Sequence, residues 1–473
     1  MGDMEMTVDL AIIGSGPGGY SAAFRGADLG MDVAMIDPRP FPGGACLHEG
    51  CIPSKTYLFL AELIFDSRRA ERMGLSFPPP KIDLAAMSRF NIGVIDDLSR
   101  GLVRLCAKRS IQRIQGHARF ENATTLRLEN SEISRLRSRH AVIATGSVPI
   151  SFPGTAPTEK NHIISSAQAL QLTDIPERIL VIGGGYVGLE LGTVYSALGS
   201  EVHLAERQPR LLPAVDIDLV APLNRRLQRL FAAIHLDTAI DSVKENGQGV
   251  TVRFSGPDGQ HHGEFDRVLV AMGRRPVTQD LGLENTRVQL DARGCILVDE
   301  QQRTAEPNIF AAGDVVGSAM QAHTATREGR IAAEVIAGKP SSFDPQAIPT
   351  VVYTDPQIAW CGVTEQQATA RNIPIVVRKF PWKYSGRANT MGATDGLTKI
   401  IADPASGRIL GLGISGRNAE AMISEGVLAI EMGALVEDMA LSLHPHPTLA
   451  ETESEAAELF LGSPIYVLPG QKT

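Results

Sequence analysis

Five cysteines are too few to staple a chain of 473 residues. In a reducing compartment, any disulfide among them would be transient and catalytic. A basic excess is missing as well. The net charge is −8, which removes the whole-chain footprint of a nucleic-acid binder. No uninterrupted apolar run reaches about 18 residues, so no membrane span is expected. The start, MGDMEMTVDL, lacks the basic opening and apolar core of a secretory leader. These absences lead to the expectation of a soluble, cytoplasmic protein. Glycine, in contrast, is plentiful at 46 residues, and 43% of the chain is hydrophobic, enough for tight turns and sizeable cores. At roughly 150 residues per domain, the length predicts about three domains.

The glycines are organised. Residues 9–13, DLAII, read as a short strand, and GSGPGGYSAAFRGADLG follows with Gly14, Gly16 and Gly19 spaced G-x-G-x-x-G. MDVAMID then reads as a second strand ending in Asp37. Strand, glycine turn, helix, strand and acidic residue together form a dinucleotide-binding pattern. The turn lets backbone approach a pyrophosphate, and the helix N-terminus offers unpaired N–H groups to it. The carboxylate can accept hydrogen bonds from ribose hydroxyls. The pattern recurs in ERILVIGGGYVGLELGTVYSALGSEVHLAE, with Gly183, Gly185, Gly188 and Glu206. In both copies the acidic residue lies 18 positions after the third glycine.

A second repeat follows the first. HAVIATG (140–146) and RVLVAMG (267–273) are apolar runs ending at Gly146 and Gly273, each with a proline three residues later. Each copy closes one nucleotide-binding unit, so one such unit is inserted in another. NIFAAGD then ends a strand at Gly313 and Asp314, and a helix is expected from about Ala319 to Ile336. Asp314 suits either a hydroxylated cofactor chain or an ordinary helix cap. From about Pro349 the pattern becomes strand-like with turns, and helical periodicity runs from Ala419 to Ala440. Cys106, Cys295 and Cys361 sit singly in apolar surroundings and read as small buried hydrophobes.

Six stretches, GSGPGGY, GCIPSK, ATG, GGGYVGLELG, FAAGD and HPHPTLAE, span residues 9 to about 460. With them the chain resembles the pyridine nucleotide–disulfide oxidoreductases, and most closely the members that oxidise protein-bound dihydrolipoamide with NAD+. The resemblance implies an α/β fold. Two Rossmann-like dinucleotide-binding domains, one inserted in the other, are joined by a C-terminal α+β dimerisation domain. The implied boundaries are 1–150 (FAD, first part), 151–278 (NAD), 279–348 (return of the FAD fold) and 349–473 (dimerisation). FAD falls to Gly14, Gly16, Gly19, Asp37, Lys55, Gly146, Gly313 and Asp314, and NAD to Gly183, Gly185, Gly188, Glu190, Glu206 and Gly273. The implied partners are a second copy of the chain and a lipoyl-bearing carrier or 2-oxo acid dehydrogenase complex.

The pair Cys46 and Cys51 in GGACLHEGCIPSK takes its meaning from this setting. Two thiols at this spacing suit a metal half-site, two core residues or a redox pair. No second pair with metal-ligand spacing is present, which argues against zinc, and no metal is expected. The resemblance makes Cys46 the thiol that meets substrate and Cys51 the thiol against the flavin. Pro53 and Lys55 then fit the start of a helix carrying both. It also pairs Lys55 with Glu190 near the flavin and places Tyr186 as a lid on its nicotinamide side. His446 and Glu451 match the family's acid–base pair, supplied by the other subunit. A histidine beside a carboxylate is a suitable base for a thiol. His444 is the alternative base, and a surface role is expected for it.

Several positions depart from the family pattern. His48 and Glu49 stand where members carry Asn and an apolar residue, inside the expected disulfide ring, and Ala45 replaces a common threonine. Glu206 stands where NADP-using, glutathione-type members carry arginine; Arg207 and Arg210 lie nearby. Mercuric reductases add C-terminal cysteines, and none follows Cys361. A non-catalytic flavoprotein subunit is the rival from another class.

Overall fold

The computed structural model describes residues 4–155, 162–257 and 259–468. Its first sheet is built on the strand Glu5–Ile13, a run buried at Leu10, Ala11 and Ile12. That strand lies between Val33–Asp37 and Arg135–Ile143, parallel to both. Gln112–Gln115 extends one edge in parallel, and an antiparallel pair, Thr125–Glu129 and His117–Asn122, extends the other. Far along the chain, Ile309–Ala311 returns to pair in parallel with the C-terminal half of Arg135–Ile143. Near-continuous apolar runs fit strands covered on both faces by crossover helices.

A second, fully parallel sheet has the order Ala233–His235, Glu201–Ala205, Arg178–Ile182, Arg267–Val270, Ile163–Ser165. A three-stranded antiparallel meander over residues 239–265 covers part of it. The two sheets are stitched by a short antiparallel ladder, Ser147–Pro149 against Arg274–Pro276. These are the residues that follow Gly146 and Gly273, so the sequence repeat meets itself in space.

The third unit is an antiparallel five-stranded sheet ordered Thr350–Val352, Gln357–Gly362, Ile409–Gly416, Leu397–Ala402, Val376–Pro381. The helices Ala419–Met432 and Glu451–Leu461 pack against it. Trp382 is fully buried there, and a Cβ on Gly396 or Gly416 would come within 2.5 Å of its ring. The indole N–H donates to Thr398, whose hydroxyl is also 2.7 Å from that of Thr452.

Two helices differ from the expected bounds. The helix expected from Ala319 begins at Ala322, because Met320 takes a left-handed φ of +50° and Gln321 is extended. The periodic stretch 419–440 is broken into Ala419–Met432 and Val436–Leu441 by Gly433, in the left-handed region at φ +68°. Cys106, Cys295 and Cys361 are buried as expected, and burial pushes the Cys361 thiol up to about 12.

Charge ties the units together. Lys399, 1% exposed, places its ammonium 2.6 Å from Asp216, 2.8 Å from Asp218 and 2.9 Å from Glu365. Burial pulls this lysine down, but Asp218 and Asp216 more than offset it, and it titrates above its ordinary value. Asp216 and Asp218 open the helix that packs on the third sheet from the second unit. Asp355 of the third unit accepts from Arg69 and Arg226, each on a helix of a different unit.

One buried carboxyl has no such partner. Glu453 is 0% exposed, and neither of its oxygens has a hydrogen-bond partner. Burial first, then the charge of Glu425, raises it well above its ordinary value. Near pH 4 and below, folded and unfolded chains both carry the proton. Above that, the unfolded chain releases it first, and stability falls as pH rises toward the raised value. Glu453→Met should therefore raise the melting temperature by roughly 2–5 °C at pH 8 and by less at pH 5. Thermal unfolding at both pH values checks this; an equal gain at both would remove the titration as the cause.

Candidate active site

Both glycine turns are forced by close backbone approach. Gly14 has φ +101°, and a Cβ there would stand 2.3 Å from the Ala144 carbonyl oxygen. Gly183 repeats this with φ +113° and 2.4 Å to the Ala271 oxygen. Gly16 and Gly185 are the N-caps of the helices Pro17–Asp28 and Tyr186–Leu198, and neither helix has a side-chain cap. The first N–H groups of each helix are thus left for a ligand. Asp37 Oδ2 accepts from Ser15 N–H and Oγ–H, both at 2.8 Å. Glu206 Oε2 accepts from Gly184 N–H at 2.6 Å, and Oε1 from Gln208 N–H at 2.7 Å. In each copy the carboxylate reaches the residue after the first glycine. Arg210, close to Glu206 in sequence, is turned onto the carbonyls of Pro213 and Val215 and the Gln366 side chain.

A cavity of about 720 Å³ opens over the first turn. Gly14, Gly16, Asp37, Cys46, Cys51, Lys55, Gly146, Glu190, Gly313 and Asp314 all line it. Tyr186 stands on its wall, 44% exposed. An uncapped helix start, a glycine cradle and a strand-end carboxylate along one elongated cavity fit a dinucleotide such as FAD.

The two cysteines do not share one helix. Cys46 lies in the short helix Gly44–Glu49, and Cys51 is the first residue of Cys51–Ala70. Gly50 separates them, and a Cβ there would press within 2.9 Å of the Ala45 carbonyl. The bend brings both free thiols to the wall of one cavity, where each acts on the proton affinity of the other. The neighbouring Cys51 holds Cys46 far above the usual thiol range, and the neighbouring Cys46 lowers Cys51 against the opposing effect of burial. Lys55, one helical turn beyond Cys51, lowers it further. The Lys55 ammonium is 2.8 Å from Glu190 Oε2, and Glu190 is 3% exposed. Burial pulls Lys55 down, yet Glu190 carries it above its ordinary value.

His48 and Glu49 face the preceding loop. His48 Nε2 lies 3.1 Å from the Pro42 carbonyl oxygen, and Glu49 Oε1 is 2.6 Å from Arg39 Nη2. Arg39 N–H in turn donates to Asp37 at 2.9 Å, so the thiol loop is tied to the end of the second strand.

Asp314 does not cap the long helix. It opens a 3-10 turn well before that helix and accepts from Ser147 Oγ–H. Arg274 Nε donates to the same hydroxyl at 2.7 Å. Ser147 and Arg274 were not singled out in the sequence, although each follows a glycine of the repeat. Glu328, 1% exposed, was also missed; it accepts from Gly313 N–H at 2.7 Å and Ser318 Oγ–H at 2.8 Å.

His446 Nδ1 lies 2.8 Å from Glu451 Oε1, and Glu451 Oε2 accepts from Thr448 N–H at 2.7 Å. The imidazole is 67% exposed, and the pair is not among the residues lining the cavity that holds Cys46. His444 corrects the sequence expectation of a surface residue. Its side chain is 7% exposed, with Nε2 2.9 Å from Glu425 and Nδ1 3.0 Å from the Ser442 carbonyl. The hydrogen bond to Glu425 raises it above the usual histidine range. Among the described residues, one group of three carboxylates is close enough to hold a metal, Asp216, Asp218 and Glu365, and Lys399 already bridges them. No helix among the described residues is long and apolar enough to cross a membrane.

Residues 8–329 match the pattern of the pyridine nucleotide-disulphide oxidoreductases, and residues 348–457 match the dimerisation domain of the same proteins. A dihydrolipoyl dehydrogenase of Buchnera aphidicola is 42% identical over 463 residues, covering 97% of each chain. That of Vibrio cholerae is 40% identical over 470 residues, covering 99% of this chain and 98% of its own. Among solved structures, LpdA of Mycobacterium tuberculosis superposes with a TM-score of 0.88 at 27% identity, covering 96% of this chain and all of its own. A Cu(II) complex of the flavoprotein disulfide reductase RclA from Escherichia coli gives 0.84 at 26% identity, covering 95% of this chain and 100% of its own. With two domain patterns accounting for most of its length and full-length relatives at this identity, the chain belongs to the pyridine nucleotide-disulphide oxidoreductase family.

Proposed function

We propose that this protein oxidises the dihydrolipoyl group of a carrier protein to lipoyl and delivers the electrons through FAD to NAD+. One observation carries the reading: Cys46 and Cys51 meet in the wall of the dinucleotide cavity, beside the Lys55–Glu190 pair. The full-length relatives named dihydrolipoyl dehydrogenase support the choice of substrate. Gly14, Gly16, Gly19, Asp37, Lys55, Gly146, Gly313 and Asp314 would hold FAD. Gly183, Gly185, Gly188, Glu190, Glu206 and Gly273 would hold NAD.

In the oxidised enzyme Cys46 and Cys51 form a disulfide. His446, oriented by Glu451, takes a proton from one substrate thiol. The resulting thiolate attacks Cys46 Sγ, and Cys51 departs as a thiolate. The second substrate thiol then displaces Cys46, closing the lipoyl ring and leaving the dithiol form of the enzyme. FAD held in the cavity would supply a two-electron acceptor for the dithiol, Cys46 and Cys51 closing again as a disulfide with loss of two protons, and a hydride donor for NAD+. Lys55 and the start of its helix favour the anionic form of Cys51 throughout.

Cys46→Ser and Cys51→Ser should each abolish lipoamide turnover and retain FAD, read by visible absorbance and steady-state assay. Near-normal turnover in either variant would end the redox assignment. Glu206 sets the nucleotide choice, because its carboxylate would repel a 2′-phosphate. Wild type should prefer NAD+, and Glu206→Arg should move kcat/KM toward NADP+; equal kcat/KM for the two nucleotides in wild type would refute this.

The exposed His446–Glu451 pair serves the thiols of a second copy in this reading. His446→Gln should lower lipoamide turnover by about 10²-fold or more. A mixed dimer of one Cys51→Ser chain and one His446→Gln chain, isolated through two different tags, should regain about half of wild-type activity. It holds one site with both groups intact. A mixed dimer as inactive as its parents would place the base in the same chain as the thiols.

A further inference from the structure

Lys55 has a second neighbour besides Glu190. The Tyr353 ring lies 4.4 Å from its ammonium, centroid to Nζ. Tyr353 follows the first strand of the third unit, and its backbone N–H donates to Glu190 Oε1 at 3.0 Å. The other Glu190 oxygen takes the lysine at 2.8 Å. One residue of the third unit therefore holds both members of the ion pair, the acid through its backbone and the base through its ring. An aromatic face attracts an ammonium most strongly where water is excluded.

The far side of Lys55 is open. A second cavity of about 200 Å³ is lined by Lys55, Tyr353, Glu62, Arg417 and Glu420. Glu62 is 2.9 Å from Arg417, and burial raises Glu420. One Glu420 oxygen has no hydrogen-bond partner. Glu62 and Glu420 line that space together with Lys55 and Tyr353, so a flexible lysine that left Glu190 would meet carboxyls there. Lys55 held toward Glu190 keeps its charge one helical turn from Cys51, where it favours the thiolate.

We propose that Tyr353 is a positioning residue whose ring pins the Lys55 ammonium beside Cys51 and Glu190, so that the seating of the third unit sets the charge around the flavin-side thiol. The proposal rests on the reading of Cys51 given above. The charged and titratable groups that act on Cys51, Lys55 and Tyr353 come from several elements. Cys46 stands on the short thiol helix, Tyr20 on the first glycine-turn helix, and Tyr186 and Glu190 on the second. Glu420 comes from the third unit. None of them is changed by a substitution at Tyr353.

The test uses the FAD-loaded dimer carrying Cys46→Ser, in which Cys51 has no disulfide partner. A thiolate against oxidised flavin gives a long-wavelength absorption band, and its intensity against pH reads the proton affinity of Cys51. Adding Tyr353→Leu should raise the midpoint by about half a pH unit, a threefold change in proton affinity. Adding Tyr353→Phe should leave it within about 0.1 pH unit, because the ring remains. A midpoint unmoved by Tyr353→Leu overturns the proposal, as does an equal shift in the phenylalanine variant. If Tyr353→Leu does not fold with FAD, Tyr353→Met carries the same expectation and the same refutation. A parent without any band at any pH would bring down the assignment of Cys51, and this proposal with it. A parent band that titrates but ignores Tyr353 refutes the present proposal alone.

Discussion

The Lys55–Glu190 ion pair is the contact on which the site depends. Lys55 belongs to the helix that begins at Cys51, and Glu190 to the helix that begins at the second glycine turn. Their 2.8 Å contact therefore joins the two nucleotide-binding units at the wall of the cavity. Glu190 is almost fully buried, and burying a charged group is costly unless it is paired. Removing one member of such a pair typically costs about 3–5 kcal/mol, because the other is left uncompensated. The pair is thus a joint between units and a source of charge for the thiols.

The parts legible in the sequence were those fixed by sterics at short range. Gly14 and Gly183 are demanded by a carbonyl 2.3–2.4 Å from where a Cβ would lie, and such a demand writes itself as a glycine. Asp37 and Glu206 follow at fixed spacing because a strand has a fixed rise and a crossover helix a fixed length. The family motifs carried the rest of the early assignment. What stayed hidden was contact between distant segments. Lys55 and Glu190, 135 positions apart, are paired by the family resemblance alone, and Ser147 and Arg274, 127 apart, are paired by nothing in the sequence. No periodicity links such pairs. His444 misled for a related reason: a polar HPHP turn reads as surface, but helix 419–432 supplies Glu425 and covers the imidazole.

The thiol segment shows how local conformation was misjudged. Pro53 near a helix start suggested one helix carrying both cysteines. Gly50 instead leaves helical φ/ψ, at −142° and −112°, and the chain bends between two helices. The bend has a chemical consequence. A continuous helix would set residues 46 and 51 about 140° apart around its axis, since each residue turns about 100°. With the break, both thiols reach one cavity wall, and Cys51 becomes the first residue of a 20-residue helix. A helix start stabilises an anion within its first turn. The same glycine that breaks the helix therefore assigns unlike roles to two identical side chains.

The third unit has its own unfinished surface. Leu443 is fully exposed, Met432 and Ile465 are 76% exposed, and Leu468 is 70% exposed, all in the unit that carries His446. A monomer gains nothing from so much apolar area facing water, and at about 25 cal/mol per Å² its coverage favours association. Met432 and Leu443 fall within residues 348–457, which match a dimerisation domain. His446 is 67% exposed and lines no part of the cavity at Cys46, although a base must come within hydrogen-bond reach of the proton it takes. In a single chain the thiols line the cavity, and His446, the base proposed for them, lies outside it. Twofold symmetry can resolve both deficits in one contact, because an isologous interface presents each chain's third unit to the other. Tyr353 belongs to that same third unit, so the unit proposed to supply a base to the partner also touches Lys55 of its own chain.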